Sequence, residues 1–171
     1  MTLYPFKGKK PRIEPGVYID PYARVVGDVE ITSPSFVFFG SIVKGEEKTC
    51  KIESKVVILE NCVIEDCEIG EGTFIGPCCV LKGCKVGNYV YIAPGSVVLE
   101  GAEIGDGAVL MPSSTLLRGV KVGKEEVVGG VPARHIRKVK PEDKEFIKRE
   151  FEKAVKKAEE YREVFTASYM V

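Results

Sequence analysis

IGPCCVLKGCKVG, residues 75–87, sets two adjacent cysteines beside a lysine and a third cysteine, a grouping that in isolation suggests a metal or redox site. Its surroundings impose a different order. Ile75, Leu81 and Val86 stand six and then five residues apart, and Cys79 and Cys84 each lie two residues before an aliphatic one. The phase continues in both directions. From Ile19, aliphatic residues recur at Val25, Ile31, Val37, Val43, Ile52, Ile58, Ile64 and Ile69, and beyond the quoted stretch at Ile92, Val98, Ile104, Leu110, Leu116, Val122 and Val128. The six-residue step slips only at 43 to 52, 64 to 69 and 81 to 86. Small residues fill the position two before the aliphatic one, among them Val17, Ala23, Ser35, Ser41, Thr73, Ser96, Ala102, Ala108 and Ser114, and only Glu126 breaks the rule.

Strand side chains alternate between faces, so a large and a small residue two apart put two side chains inward on each short strand. Three such strands close a triangular coil of about 18 residues, and stacked coils bury the aliphatic columns while each strand bonds to the coils on either side. This pattern resembles the hexapeptide-repeat, left-handed parallel β-helix proteins. The expected fold is mainly β: a left-handed parallel β-helix over residues 15–130. An N-terminal extension (1–14) precedes it, and a linker (131–140), a C-terminal helix packed on the β-helix (141–165) and a tail (166–171) follow.

This register answers the question the cysteines raise. Cys50, Cys62, Cys67, Cys79 and Cys84 all take the small inward position and only Cys78 does not, which marks packing, since free cysteine behaves as a small buried hydrophobe. Cys50, Cys67 and Cys84 stack on one corner and Cys62 and Cys79 on another, about 4.8 Å apart, so a bridge from Cys62 to Cys79 or from Cys67 to Cys84 lies within reach.

The outward positions distinguish the three faces. One carries Glu30, Lys51, Glu68, Lys85, Glu103 and Lys121, an alternating ladder suited to solvent. The second carries Tyr18, Phe36, Val57, Phe74, Tyr91, Val109 and Val127; the third, after Arg24, carries Ile42, Val63, Val80 and Val97. Two apolar faces need covers. The stretch 141–165 places Phe146, Ile147, Phe151, Val155, Ala158 and Tyr161 at helical spacing, an amphipathic helix able to cover one of them. A second subunit is expected on the other, and a triangular prism readily forms a three-fold ring, so the expected partner is a second and third copy of the chain.

With the register set, residues 41–62, 69–117 and the GGVPARHIRKVKPED segment resemble the γ-class carbonic anhydrases, trimers in which three histidines from adjacent subunits hold a catalytic metal. The family pattern is Arg-Gly-Asp, then Asn-Ile-Gln-Asp, a histidine five residues after that Asp, and later Ile-Gly-His with a second histidine five residues on. In this chain Arg-Gly-Asp becomes Lys44-Gly45-Glu46, Asn-Ile-Gln-Asp becomes Lys51-Ile52-Glu53-Ser54, and the three histidine positions hold Leu59, Pro77 and Lys82. Leucine and proline side chains offer no lone pair, and a protonated lysine repels a cation. The resemblance therefore implies the trimer and its inter-subunit cleft without metal or other cofactor. Lys44, Glu46, Glu53, Glu60, Cys78 and Lys82 are the cleft and ligand candidates: the lysines would favour a small anion, and Glu53, Glu60 and Cys78 form the one conceivable surrogate metal set. The single histidine, His135, lies in the tail segment and is not expected to be catalytic. The function expected is that of a binding or scaffold protein, with a coenzyme A-dependent hexapeptide acyltransferase, or a lyase or hydrolase with a surrogate metal, as alternatives.

Composition excludes other classes. Twenty-five basic residues balance 25 acidic ones, and no basic patch interleaves with aromatics, which argues against nucleic acid. No apolar run approaches a membrane span, and prolines interrupt the first residues where a signal peptide would be continuous, so a cytoplasmic location is expected. Glutamine is absent, asparagine is limited to Asn61 and Asn88, and Lys and Glu are abundant, a bias expected of a thermophile.

Overall fold

The computed structural model describes residues 2–168, with side-chain surroundings described to residue 165. Short strands, each followed by a corner, wind into a parallel β-solenoid of about seven turns, a left-handed β-helix of hexapeptide repeats with a single C-terminal helix. All the aliphatic repeat residues from Val25 to Val128 are buried, as are the five inward cysteines.

Inward hydroxyls have a further task. Ser35 Oγ donates to Glu53 O at 2.9 Å and accepts from Val56 N; Ser41 Oγ donates to Leu59 O at 2.6 Å and accepts from Cys62 N; Thr73 Oγ1 donates to Gly87 O at 2.8 Å and accepts from Val90 N. A corner turns its peptide groups out of the ladder, and a small hydroxyl inside the coil pairs them where water cannot. Each corner also needs one residue with left-handed backbone. At the corner between the ladder face and the aromatic face these are Lys55, Gly72, Tyr89, Gly107 and Glu125. Side chains are tolerated there in Lys55, Tyr89 and Glu125, and what favours glycine at 72 is the Tyr89 ring of the next coil, which lies where its Cβ would be.

The three faces follow the expected register. On the aromatic face Tyr18, Phe36, Val57, Phe74, Tyr91, Val109 and Val127 stand in successive register. The other two faces are one sheet, because the strand Ile42–Ile52 bends through the corner between them. The nine-residue step from Val43 to Ile52 is accommodated there. The Asp66 carboxylate of the next coil accepts from the backbone N–H of Glu46, Glu47 and Lys48 at 2.8–3.3 Å, replacing the ladder bonds that the extra residues cannot make.

Helix α1 (Pro141–Ser168) covers the aromatic face. Ala154 and Ala158 bury against it, with Ile147, Phe151 and Tyr161 packed around them. Their small size lets the helix approach a surface already bearing rings: Phe38 meets Tyr18 and Tyr161 edge-on at 5.8 and 6.1 Å. Phe146 instead stays nearly half-exposed, with its ring edge on Tyr91. The third face is left uncovered within one chain, with Ile42 and Val80 each more than a third exposed; it is called the valine face below.

Two segments without the six-residue period are nonetheless bonded to the solenoid. Residues 1–14, expected as an extension, supply the strands Leu3–Tyr4 and Arg12–Ile13, both parallel to Arg24–Ile31. Charge drives this. Asp28 accepts from Lys9 (3.0 Å), Arg12 (2.8 Å) and Thr49 (3.0 Å), and Arg12 continues the charge ladder onto Glu30 at 2.7 Å. Residues 131–140, expected as a linker, contain the strand Ala133–Lys138, which returns antiparallel along Glu126–Gly130. Glu126, the exception to the small-residue rule, points out of the core and caps Gly123 N at 3.0 Å. Arg137 on the return strand grips Asp143 with two bonds of 2.6 and 2.9 Å, and Asp143 caps Lys140 N at 2.7 Å, which fixes the start of α1. Of the expected tail, residues 169–171 lie outside the described residues.

Asp28 and Asp143 are both held down to a pKa of about 2, Asp28 by Lys9 and then Arg12, Asp143 by Arg137 and then the Lys140 N–H. A carboxylate whose folded pKa lies below its unfolded value stabilises the fold above the unfolded pKa and loses that contribution as pH falls through the folded one. Stability should therefore decline between about pH 4 and pH 2, by no more than about 2 kcal/mol for each group because the cationic partners are half-exposed to solvent. Urea titrations across that range should show it, and Asp28→Asn together with Asp143→Asn should flatten the decline; an unchanged slope would refute the assignment. No helix among the described residues is long and apolar enough to cross a membrane.

Candidate functional site

The valine face is bounded by two corners, and the residues singled out from the sequence divide between them. On the corner shared with the helix-covered face stand Leu59, Glu60, Pro77 and Cys78, the last two one coil above the first two, with Cys78 N bonded to Glu60 O at 2.9 Å. Leu59 is half-buried and packs against the cluster beneath α1, Glu60 faces Lys157 of the helix at 3.8 Å, and Cys78 is exposed in the left-handed corner position. On the opposite corner stand Lys44, Glu46 and Lys82. Glu53 lies apart from both, on the third corner, paired with Lys51 at 3.3 Å.

Glu65 organises the second group, and sequence reasoning missed it. It stands in register with Lys44 on one side and Lys82 on the other, and its carboxylate bonds both, at 3.1 and 3.4 Å. Lys44 also reaches Glu46 at 3.3 Å, and Lys82 lies 3.9 Å from Glu100. Partial burial works against the Lys44 charge, but the bonds to Glu65 and Glu46 outweigh it and its pKa rises. The signal was available: Glu65 follows the inward Ile64 as Lys44 follows Val43 and Lys82 follows Leu81, so the three share one outward column.

These residues do not fit a metal ion. Leu59 and Pro77 bring no donor atom, and Lys82, already bound to a carboxylate, is a fixed positive charge. Glu53, Glu60 and Cys78, the conceivable surrogate set, are split between two corners. Among the described residues no three His, Cys, Asp or Glu side chains are placed to share an ion. Leu59 and Pro77 flank one edge of the valine face and Lys82 the other, so the three positions do not converge within one chain. His135 sits half-exposed on the return strand, its Nδ1 4.0 Å from Glu126.

A concavity lies away from all of these residues. A groove of about 730 Å³ runs between the Gly72, Tyr89 and Gly107 corner and the side of α1 at Ile147 and Phe151, with Lys55, Lys124, Lys144 and Lys148 around it. The six-residue period does not reveal it, because one wall belongs to a helix whose seating the repeat does not specify.

Comparison with known proteins agrees with this architecture. The family described as "Bacterial transferase hexapeptide (six repeats)" matches residues 49–83, 66–100 and 83–118. A carbonic anhydrase of Geobacillus kaustophilus is 31% identical over 62 residues, 36% of this chain and 34% of its own length. Gamma carbonic anhydrase 1, mitochondrial, of Arabidopsis thaliana is 27% identical over 157 residues, 85% of this chain and 57% of its own length. The chain thus spans little more than half of these relatives at most. Among solved structures, a hexapeptide transferase family protein from Anaplasma phagocytophilum superimposes with a TM-score of 0.86 at 28% identity, covering 94% of this chain and 98% of that one. The chain is therefore a hexapeptide-repeat β-helix protein with homologues among the carbonic anhydrases, the γ class included.

Proposed function

We propose that this chain is a metal-free relative of the γ-class carbonic anhydrases, assembled as a homotrimer through its valine face and acting as a binding or scaffold protein without carbon dioxide hydration chemistry. The observation that carries the reading is the occupancy of the three family ligand positions by Leu59, Pro77 and a Lys82 held by Glu65. Without a bound metal, nothing at these positions lowers the pKa of a water to make hydroxide at neutral pH. A small anion remains a candidate ligand, and at Lys44 and Lys82 it competes with Glu65, which bonds both. The test is hydration of carbon dioxide by protein supplied in turn with zinc, cobalt and iron(II). The expected rate is that of buffer, and a rate well above it that chelation removes would overturn the reading.

The trimer has its own test. Val80 stands in the middle of the uncovered face, in register with Val63 and Val97, so Val80→Asp would place three carboxylates in a desolvated interface. Light scattering should report a trimer for the parent protein at micromolar concentration and a monomer for the variant; a monomeric parent rejects the assembly.

The similarity in fold to a hexapeptide transferase family protein favours a second reading, acyl transfer from coenzyme A. A histidine base is usual for such chemistry. The one histidine here lies on the return strand beyond the coils. Coenzyme A should leave the melting temperature unchanged under the first reading and raise it by several degrees under the second.

A further inference from the structure

Five thiols are sealed inside the coils, and one stacked pair has its sulfurs in direct contact. Cys67 Sγ and Cys84 Sγ lie 3.5 Å apart, buried, on consecutive coils whose strands Glu68–Ile69 and Lys85–Val86 run in parallel register. The main chain binds the coils beside them, Glu68 N donating to Cys84 O at 3.1 Å. Cys62 and Cys79, stacked on another corner, aim their thiols at carbonyls of the coils ahead, Gly76 O at 3.1 Å and Ala93 O at 3.3 Å. Cys67 also donates to a carbonyl, Glu65 O at 3.1 Å, and the Cys84 thiol faces the Cys67 sulfur.

We propose that Cys67 and Cys84 are an oxidisable pair that forms a disulfide between adjacent coils, so that the solenoid has a reduced and a covalently stapled form. Stacked coils hold the two main chains about 4.8 Å apart, inside the range a disulfide spans, and the sulfurs need close by only about 1.5 Å. The main-chain bonds of the corner keep their partners through that movement; the Cys67 S–H bond to Glu65 O is given up, and that carbonyl still accepts from Gly83 N at 2.8 Å.

The oxidant is a small-molecule disulfide. The Cys67 thiolate attacks one of its sulfurs, the external S–S bond breaks, and the first small thiol leaves. The Cys84 sulfur then attacks Cys67 Sγ of the mixed disulfide, and the second small thiol leaves with the electron pair of the broken bond. The two protons lost by Cys67 and Cys84 end on the two released thiols. Cys67 is the better nucleophile of the pair: as acceptor of the Cys84 S–H it is lowered, while Cys84, donating that hydrogen and buried, is raised.

The test refolds the full chain from urea in a glutathione redox buffer, which removes any question of access to the core, then alkylates free thiols and maps peptides without reduction. The expected product contains a peptide pair joined through Cys67 and Cys84, two hydrogen masses below the reduced protein, and melts about 6–12 °C higher than the reduced form. Cys84→Ser should lose both the joined peptides and the shift; should that variant fail to fold, the parent peptide map decides alone. Six alkylated cysteines after equilibration in fully oxidised glutathione, or a bridge from Cys67 to Cys50 or from Cys62 to Cys79 in place of this one, would overturn the assignment.

Discussion

Phe38→Ala should destabilise the protein by about 3–5 kcal/mol, the range for removing a fully buried phenylalanine. Phe38 follows the inward Val37, so its side chain leaves the coil and is buried only because α1 lies over it. Its ring edges onto Tyr18 of the solenoid and Tyr161 of the helix, so it joins the two layers. Both losses should appear together. The urea midpoint should fall, and hydrogen exchange in the helix around residues 154–162 should quicken more than in the coils at 75–110, whose packing does not pass through this ring. A loss below about 1 kcal/mol with uniform exchange would show that α1 is seated by other contacts.

The triple change Leu59→His, Pro77→His, Lys82→His should turn a protein that binds no zinc at these positions into one that binds it with a Kd of about 1 μM or lower, followed by calorimetry. Neutral imidazoles supply the missing lone pairs, and loss of the Lys82 ammonium removes the charge that opposes a cation. The geometry adds a condition. Leu59 and Pro77 border one edge of the valine face and Lys82 the other, so three imidazoles can meet only across two subunits. Zinc at a hundredfold excess over Kd should therefore raise stability by about 2.7 kcal/mol and hold the trimer together. Adding Val80→Asp to the triple variant should abolish binding. Zinc bound equally by a monomer would break the link between face and site, and a trimeric triple variant that binds none would remove the positional match to the carbonic anhydrases.

The coil interior was legible in the sequence because one rule, an aliphatic residue and a small one two before it, specifies which side chains point inward at every strand. Cys50, Cys62, Cys67, Cys79 and Cys84 were placed by that rule before any contact was known. The outward ladder from Glu30 to Lys121 was equally plain, but its continuation to Arg12 was not. Residues 1–14 carry no period, and besides their strand pairing what seats them is two bonds to one carboxylate, Asp28, from Lys9 and Arg12. The choice of face for α1 was open for a related reason: both faces are apolar, and only the close approach permitted by Ala154 and Ala158 favours the one that bears rings. Glu65 could have been found from its column and was overlooked because the family pattern directed attention to Lys44 and Lys82. The arrangement of Leu59, Pro77 and Lys82 on opposite edges was beyond the repeat pattern, since a period gives the phase of a residue but not the distance between corners.

A stack of parallel coils has no intrinsic last member, and its end rows of unpaired main-chain groups are templates on which a further coil from another molecule could lie. In this chain the strand Ala133–Lys138 closes one such row by running against the direction of every strand beneath it. A neighbouring molecule offering another parallel coil meets a reversed ladder there. At the opposite end Leu3–Tyr4 and Arg12–Ile13 lie over the first long strand, with Lys9 and Arg12 clustered at Asp28 beside them. At the C-terminal end one of the three rows is closed in this way, while Thr115–Leu116 and Lys121–Val122 stay edge strands, kept to two residues each so that they offer a neighbouring molecule little to pair with.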